Sequence, residues 1–246
     1  MTIAENVTLI KEKIAAAAEK SGRSPEDIIL VAATKMNDAS RVRQAIDAGI
    51  CYCGENRVQE LLEKNEQSAY EGSHIHFIGH LQKNKVKHVV GLAELIHSAD
   101  SIELLRAIGK TASAAGIVQE VLLEINIGNE ESKSGFSIGD ITDELLSAVS
   151  KIPGVRVRGL MAIPPICSTG AENIPFFQQM NQLFIDIQSK KYDNVFMDFL
   201  SMGMSGDYEE AILCGSNMVR VGSGIFGPRI YPEAPSHGGK AHGFNG

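Results

Sequence analysis

Short apolar runs and longer amphipathic stretches alternate along most of this chain. Residues 1–20 carry apolar side chains at helical spacing and predict an amphipathic first helix. After it, eight runs rich in β-branched and other apolar residues predict strands at 29–34, 50–53, 75–78, 95–98, 118–125, 155–163, 195–200 and 218–221. Stretches of helical character separate them, at 39–48, 58–65, 84–91, 102–115, 140–151, 175–189 and 208–213.

This alternation predicts a parallel sheet, because parallel strands need crossover connections that are usually helices. Eight such units in 246 residues favour a closed (β/α)8 TIM barrel, with an extra N-terminal helix, over an open doubly wound sheet. No Pro-, Gly- or Ser-rich linker divides the chain, so we expect one barrel domain over residues 1–229. Residues 230–246 are rich in Gly, Pro and His without periodicity, and we expect a flexible tail there.

Composition and charge argue against several classes of protein. Hydrophobic residues make up 43% and charged residues 22% of the chain, as in soluble globular proteins. The net charge of −7, without a long basic tract, argues against nucleic acid as a partner. No apolar run is long enough to span a bilayer, and the acidic first segment lacks the apolar core of a signal peptide. The four cysteines lack a zinc-binding pattern, so we expect reduced thiols in a cytoplasmic protein.

Lys35 lies where chemistry is expected in such a fold. It closes the first predicted strand, and the carboxyl ends of parallel strands carry the active sites of α/β barrels. A partly desolvated lysine has a lowered pKa and can attack a carbonyl carbon to form a Schiff base. Most lysines at strand ends are simply solvated. The segment by itself favours the solvated alternative.

The two loops that follow the seventh and eighth predicted strands are rich in glycine and serine. They run over residues 200–207 and 220–227. These are the two positions at which a TIM barrel usually binds phosphate. Glycine lets backbone N–H groups approach a phosphate closely, and serine adds hydroxyl donors. Ordinary turns use the same residues, but their presence at both positions indicates a phosphorylated ligand.

An amine and a phosphate site at one barrel mouth suggest a phosphorylated aldehyde, and pyridoxal 5′-phosphate fits this description. Arg220, on the last strand, could donate to the pyridine nitrogen, because a guanidinium has only donors. That nitrogen would then stay unprotonated, which weakens the ring as an electron sink. Spacing equally allows Arg220 to form a structural ion pair with Asp198 or Glu124. The sequence leaves both alternatives open.

Four further polar residues fall near the predicted barrel mouth. Asn56 follows the second strand and could contact the cofactor ring beside Lys35, act as a helix N-cap, or do both. His76 and His80 lie on or after the third strand, where histidine is more often a hydrogen-bonded core residue than a ligand. Lys133 is a second amine after the fifth strand. It could contact an aldehyde, although a solvated loop lysine is the simpler interpretation.

Taken together, these segments resemble the YggS/PROSC family of pyridoxal phosphate homeostasis proteins. The similarity covers nearly the whole chain up to Arg229, with the motifs in the expected order. The matching stretches are Leu30-Val31-Ala32-Ala33-Thr34-Lys35, the run from Gly54 to Glu60, Phe77-Ile78-Gly79 with Leu81-Gln82 and Asn84-Lys85, the run from Ser132 to Phe136, Gly159-Leu160-Met161, the run from Leu200 to Ser205, and Val219 to Ser223 with Ile225-Phe226-Gly227. Met36 and Asn37 depart from the family pattern, as do the residues after Arg229.

The resemblance implies a barrel like the N-terminal domain of alanine racemase. It also implies pyridoxal phosphate bound to Lys35 as a Schiff base. The phosphate would lie near Ser201, Gly203, Gly222 and Ser223, with Arg220 facing the ring nitrogen and Asn56 near the ring. Family members keep pools of the cofactor and of amino and keto acids in balance, and no defined catalysed reaction is known for them.

Three functional hypotheses follow. The first is a cofactor carrier without a catalytic site. Its recipients would be apo-enzymes that need the cofactor. We expect the carrier to be a monomer or a weak dimer. The second is a pyridoxal-phosphate-dependent racemase, lyase or decarboxylase, which would need a second acid–base group over the ring. Only residues 230–246 follow the barrel, and nothing places Tyr231 over the ring. The third is a cofactor-free Schiff-base aldolase acting on sugar phosphates.

Overall fold

Eight parallel strands close into a barrel in the order in which they occur along the chain. The computed structural model describes residues 1–130, 133–167 and 169–228. The strands are β1 (Ile29–Ala33), β2 (Tyr52–Glu55), β3 (His74–Phe77), β4 (Leu95–Ala99), β5 (Gln119–Ile125), β6 (Val155–Ala162), β7 (Val195–Ser201) and β8 (Met218–Val221). Pairing of β8 with β1, which sets Arg220 opposite Val31, completes the barrel. The predicted (β/α)8 barrel is confirmed.

Helices cover the outside of the barrel. They are α1 (Ile3–Lys20), α2 (Ala39–Asp47), α3 (Val58–Glu66), α4 (Ile102–Ala114), α5 (Asp143–Ser150), α6 (Ile174–Gln188), α7 (Tyr208–Leu213) and α8 (Ser223–Phe226), with shorter 3-10 turns between them. The predicted N-terminal helix is present as α1. A capping box of Thr2 and Glu5 starts it, and its buried face packs against α2, α7 and α8. The predicted tail at 230–246 lies outside the described residues.

Two apolar clusters form the core. The larger one lies between the barrel and its helices and includes the buried face of α1. The smaller one takes one or two side chains from strands all round the barrel, among them Val31, Leu95, Leu122 and Met218, and it fills the barrel interior. Alternation along each strand accounts for this division, since successive side chains point to opposite faces.

Two predicted elements differ from the observed ones. Residues 84–91 do not form an α-helix; a 3-10 turn at Lys83–His88 connects β3 to β4. Like charges on Lys83 and Lys87 oppose a regular helical turn. The second strand begins two residues later than predicted and ends at Glu55 rather than at residue 53. Its polar end resembles a turn in sequence, but Glu55 is fully buried among hydrogen-bond donors.

Among the described residues, no helix is long and apolar enough to cross a membrane. All four cysteines are free thiols.

Candidate functional site

A cavity of about 670 Å³ opens at the carboxyl ends of β1, β7 and β8. This volume suits a cofactor-sized ligand. Its polar lining includes Lys35, Arg41, Ser205, Arg220, Gly222 and Ser223, and its apolar lining includes Met204 and Phe226. The amine, the buried arginine and the last glycine-rich loop that the sequence singled out therefore share one cavity.

Lys35 enters this cavity from the loop that follows β1. The strand itself ends at Ala33, and Thr34 is fully buried, so Lys35 is the second residue after the strand rather than its last. The side chain is half-buried. The next residue, Met36, has a φ of 61°, a left-handed conformation that is uncommon for a residue with a β-carbon.

Arg220, on β8, is almost completely buried and forms part of the cavity lining. It donates to Ser201 Oγ at 2.6 Å and to the Ala162 carbonyl oxygen at 2.9 Å. Burial lowers the pKa of Arg220 to about 10, while the charges of Asp207 and Glu124 act in the opposite direction. Arg220 therefore remains protonated at neutral pH.

The alternative ion pair of Arg220 with Asp198 is wrong. Asp198 instead accepts from Arg158 Nε at 2.6 Å on the outer face of the barrel. Glu124 acts on Arg220 through its charge, but among the described residues no carboxylate lies within 4.0 Å of the guanidinium. The guanidinium is thus held by neutral oxygen atoms, and its positive charge is not neutralised by a directly bonded carboxylate of the described residues.

Ser201 does not line the cavity but belongs to a polar chain inside the barrel. It is the last residue of β7 and fully buried. Its hydroxyl lies 3.1 Å from His97 Nδ1, and His97 Nε2 lies 3.0 Å from His76 Nδ1. The chain thus runs from Arg220 through Ser201 and His97 to His76. His97 carried no signal in the sequence beyond its place on a strand, because an apolar run surrounds it.

The arginine fixes the direction of the first bond in this chain. Since a guanidinium only donates, Ser201 Oγ accepts from it and has its own proton left to donate to His97 Nδ1. If Ser201 donates that proton, His97 carries its own proton on Nε2 and donates it to His76 Nδ1. Both imidazoles are neutral: burial, with a smaller contribution from the charge of His74, lowers the pKa of His76 to about 3, and burial also lowers the pKa of His97. The sequence left the role of His76 open. In the structure His76 is a buried, neutral residue at the far end of the chain that begins at Arg220.

Gly203 also lies away from the cavity lining. Its φ is 93°, a conformation that favours glycine, and a β-carbon there would lie 2.6 Å from the Ala211 β-carbon on α7. Its carbonyl oxygen accepts from the backbone N–H of Arg220 at 3.0 Å. Gly203 allows the tight turn out of β7 and holds the backbone of β8.

Ser205, two residues further on, lines the cavity, which Ser201 does not. Its hydroxyl oxygen accepts from Gly222 N at 3.1 Å and from Gly224 N at 3.3 Å, joining the two glycine-rich loops. With both lone pairs used, the remaining hydroxyl proton is available to an acceptor. A correct prediction of where β7 ends could have identified Ser205 as the serine in the loop, since Ser201 still belongs to the strand.

Asn56 leaves β2 at the position equivalent to that of Lys35 on β1, because Ala33 pairs with Gly54. Its predicted use as a helix N-cap is wrong: Arg57 is the N-cap of α3, and no side chain caps that helix. The Oδ1 atom of Asn56 is buried and has no hydrogen-bond partner among the described residues. Asn56 is not part of the lining of the Lys35 cavity.

A second cavity of about 390 Å³ lies at the barrel mouth, lined by His80, Glu124 and Lys133 among others. His80 Nδ1 lies 3.2 Å from Asp100 Oδ2. Lys133 is half-buried and pairs with Glu130 at 2.5 Å rather than extending into solvent. Glu124 Oε2 is buried without a partner among the described residues. Burial, with help from the Asp100 charge, raises the pKa of Glu124 to about 7.

Residues 5–230 match the family described as alanine racemase, N-terminal domain. The chain is 40% identical over 234 residues to a pyridoxal phosphate homeostasis protein of Escherichia coli strain K12, covering 94% of this chain and 98% of that protein. A protein of the same name from Aquifex aeolicus is 39% identical over 231 residues and is covered completely.

The solved structure of PipY from Synechococcus elongatus PCC7942 with PLP bound superposes with a TM-score of 0.78 at 30% identity, over 92% of this chain and 100% of that one. The sequence relatives span nearly the whole chain, and the similar structure has the same fold. The chain therefore belongs to the family of pyridoxal phosphate homeostasis proteins, which share the fold of the alanine racemase N-terminal domain.

Proposed function

We propose that this protein binds pyridoxal 5′-phosphate, holds it covalently on Lys35 and keeps the cofactor available to the cell. The observation that carries the proposal is that Lys35, Arg220 and the glycine-rich loop at Gly222 line one cavity. PLP bound to the PipY relative supports the same ligand class.

The donors around the outer part of the cavity fit a phosphate. Ser205 has a hydroxyl proton to donate, Ser223 brings a hydroxyl donor to the same wall, and Gly222, whose N–H is bonded to Ser205, leaves that wall without a side chain. Arg41 adds a positive charge to the lining, with its Nε bonded to Asn37 Oδ1 at 2.9 Å. We propose that Ser205, Gly222, Ser223 and Arg41 hold the phosphate. Ser201 and Gly203 would support that site from beneath.

The inner part of the cavity fits a pyridine ring. Arg220 is a fixed donor that can face a ring nitrogen. When bound, pyridoxal phosphate supplies an aldehyde, whose carbon joins a lysine nitrogen with loss of one water molecule. Because Arg220 is itself protonated and only donates, it leaves the ring nitrogen without a proton. This arrangement favours holding the cofactor over stabilising a carbanion.

An enzymatic function is the alternative, and Glu124 is the observation that favours it. A racemase of this fold needs an acid–base group besides the lysine. No tyrosine lines the Lys35 cavity in the part of the chain that the structure describes. Glu124, with a pKa of about 7 and an unpartnered oxygen in the neighbouring cavity, is the group that could serve.

Spectroscopy and mass spectrometry of the loaded protein test the proposal. We expect a visible absorption band that borohydride abolishes, leaving the reduced cofactor on the Lys35 peptide. Lys35→Ala should lack both signals. Adding the loaded protein to an apo-enzyme should restore its activity faster than an equal concentration of free cofactor. Amino-acid turnover at ordinary enzymatic rates, lost in Lys35→Ala and in Glu124→Gln, would instead establish the enzyme.

We further propose that the recipients are apo-enzymes in the same compartment. The four free cysteines suit the reducing environment of the cytoplasm.

A further inference from the structure

A polar cluster behind Lys35 has no part in the cavity described above. It consists of Thr34, Glu55, Glu60, Lys64 and Tyr70, of which Glu60 is the most exposed at 19% of its side chain. Glu55 Oε1 is the centre of the cluster. It accepts from Thr34 Oγ1 at 2.5 Å, from Lys64 Nζ at 2.7 Å and from Tyr70 Oη at 2.9 Å.

Two members of this cluster hold the two peptide groups that flank Lys35. Lys64 Nζ donates to the Thr34 carbonyl oxygen at 2.8 Å. Glu60 Oε2 accepts from the Met36 backbone N–H at 2.7 Å. These groups belong to the peptide units on either side of the Lys35 α-carbon, so the two bonds together restrict both φ and ψ of Lys35.

The two holding side chains are themselves fixed. Glu60 and Lys64 are four residues apart on α3, which places them on one helix face, and Lys64 Nζ lies 3.3 Å from Glu60 Oε2. Lys64 is only 6% exposed, and a buried ammonium requires partners of this kind. Glu55 connects the pair to the end of β2, so the cluster joins α3 to the barrel.

The conformation of Met36 is a second observation pointing the same way. A residue with a β-carbon adopts a φ of 61° only where its surroundings impose it. The bond from Met36 N–H to Glu60 holds this turn to α3, while two bonds from Asn37, to the Thr34 and Lys35 carbonyl oxygens, close it locally. Without the turn, the chain after β1 would leave in another direction and carry the Lys35 side chain with it.

We propose that Glu60 and Lys64, anchored on Glu55, are positioning residues that fix the backbone of Lys35 so that its amine points into the cavity. The inference rests on the proposed function, since it assigns a purpose to the direction of that amine. Pre-organisation of this kind assists bond formation at the amine and leaves the phosphate contacts unchanged.

Comparison of an aldehyde ligand with an alcohol ligand tests this assignment. Pyridoxal phosphate can bond to Lys35, whereas pyridoxine 5′-phosphate carries an alcohol in place of the aldehyde and reports the non-covalent contacts alone. Glu60→Ala should slow covalent attachment of pyridoxal phosphate by about tenfold, the effect of losing one hydrogen bond to a charged acceptor. It should leave the affinity for pyridoxine phosphate within about twofold of wild type, a change of under ~0.5 kcal/mol.

Two variants serve as controls. Glu60→Gln keeps an acceptor for Met36 N–H and should restore most of the attachment rate. Glu63→Ala removes an exposed carboxylate of α3 whose contact is with Gln59, and it should match wild type. Equal losses for both ligands in Glu60→Ala, or an unchanged attachment rate, would overturn the assignment.

Amide hydrogen exchange in cofactor-free protein provides a measurement that needs no ligand. The Met36 amide should be protected in wild type and in Glu60→Gln, and should exchange much faster in Glu60→Ala. If the Met36 amide exchanges at the same rate in wild type, Glu60→Gln and Glu60→Ala, the inference is wrong. If wild type forms no adduct on Lys35, the proposed function fails, while the exchange measurement still tests the hold on Met36.

Discussion

Arg220 donates to Ser201 Oγ at 2.6 Å, and this bond joins the candidate cofactor cavity to the interior of the barrel. Beyond Ser201 the chain continues to His97 and His76, all of them buried. The charged group at one end fixes Ser201 Oγ as the acceptor of this first bond.

Substitution of Ser201 and of Ser205 should have different consequences. Ser201→Ala leaves Arg220 and His97 short of a buried partner, so we expect it to lower the free energy of unfolding by about 1–3 kcal/mol. Ser205→Ala should weaken binding of pyridoxine phosphate by about tenfold, because a hydroxyl donor to a charged phosphate is lost. Denaturant unfolding and ligand titration of both variants check this. A larger loss of affinity in Ser201→Ala than in Ser205→Ala would show that Ser201, rather than Ser205, contacts the phosphate.

The two buried histidines should make the protein less stable in acid. Each has a folded-state pKa below its unfolded value near 6.5. Below pH 6.5 the unfolded chain takes up protons that the folded chain refuses, so stability falls as the pH falls towards 3. Each such proton contributes a slope of about 1.4 kcal/mol per pH unit. His76→Gln should therefore show a shallower decline than wild type in unfolding experiments between pH 6 and 4.

Nitrogen-15 spectra of the cofactor-free protein give an independent check on the histidines. We expect His97 and His76 to carry their single protons on Nε2. A proton on Nδ1 of His97 would contradict the direction assigned to the chain.

Glu124 should act on stability in the opposite direction. Its folded-state pKa of about 7 lies above its ordinary value of 4.5, so the unfolded carboxyl ionises first as the pH rises. The resulting loss of stability begins near pH 4.5 and is complete above about pH 7. Each unit of pKa difference corresponds to roughly 1.4 kcal/mol. Glu124→Gln should abolish this dependence and be more stable than wild type at pH 8, as thermal unfolding can measure.

Lysine substitutions separate the two cavities. Lys35→Ala should remove covalent attachment while retaining measurable affinity for pyridoxine phosphate, because the phosphate contacts do not involve the amine. Lys133 pairs with Glu130 in the other cavity, so Lys133→Ala should leave the visible band of the loaded protein unchanged. Borohydride reduction followed by peptide mass analysis distinguishes the two lysines. If the Lys35→Ala variant still forms an adduct on another lysine, the assignment of Lys35 as the attachment site is wrong.

Much of the architecture can be predicted from hydrophobic periodicity. Strand–helix alternation determines the (β/α)8 barrel, because runs buried on both faces must pair in parallel under a layer of helices. The position of Lys35 after the first strand and of Arg220 on the last follows from the same pattern, since closure of the barrel makes those strands neighbours. The glycine-rich loops likewise come together because β7 and β8 are neighbours and the loop after β7 runs beside β8.

Contacts between distant residues depend on the tertiary structure. The choice between Ser201 and Ser205 depends on where β7 ends, since Ser201 is still in the strand and faces the barrel interior, whereas Ser205 lies beyond it and lines the cavity. The hold of Glu60 on Met36 spans 24 residues, and no periodicity records such a bond. The sequence by itself thus determined the barrel and the positions of Lys35 and Arg220 in it. Their exact partners were decided only by folding, because a hydrogen bond requires a distance and a direction that spacing along the chain does not contain.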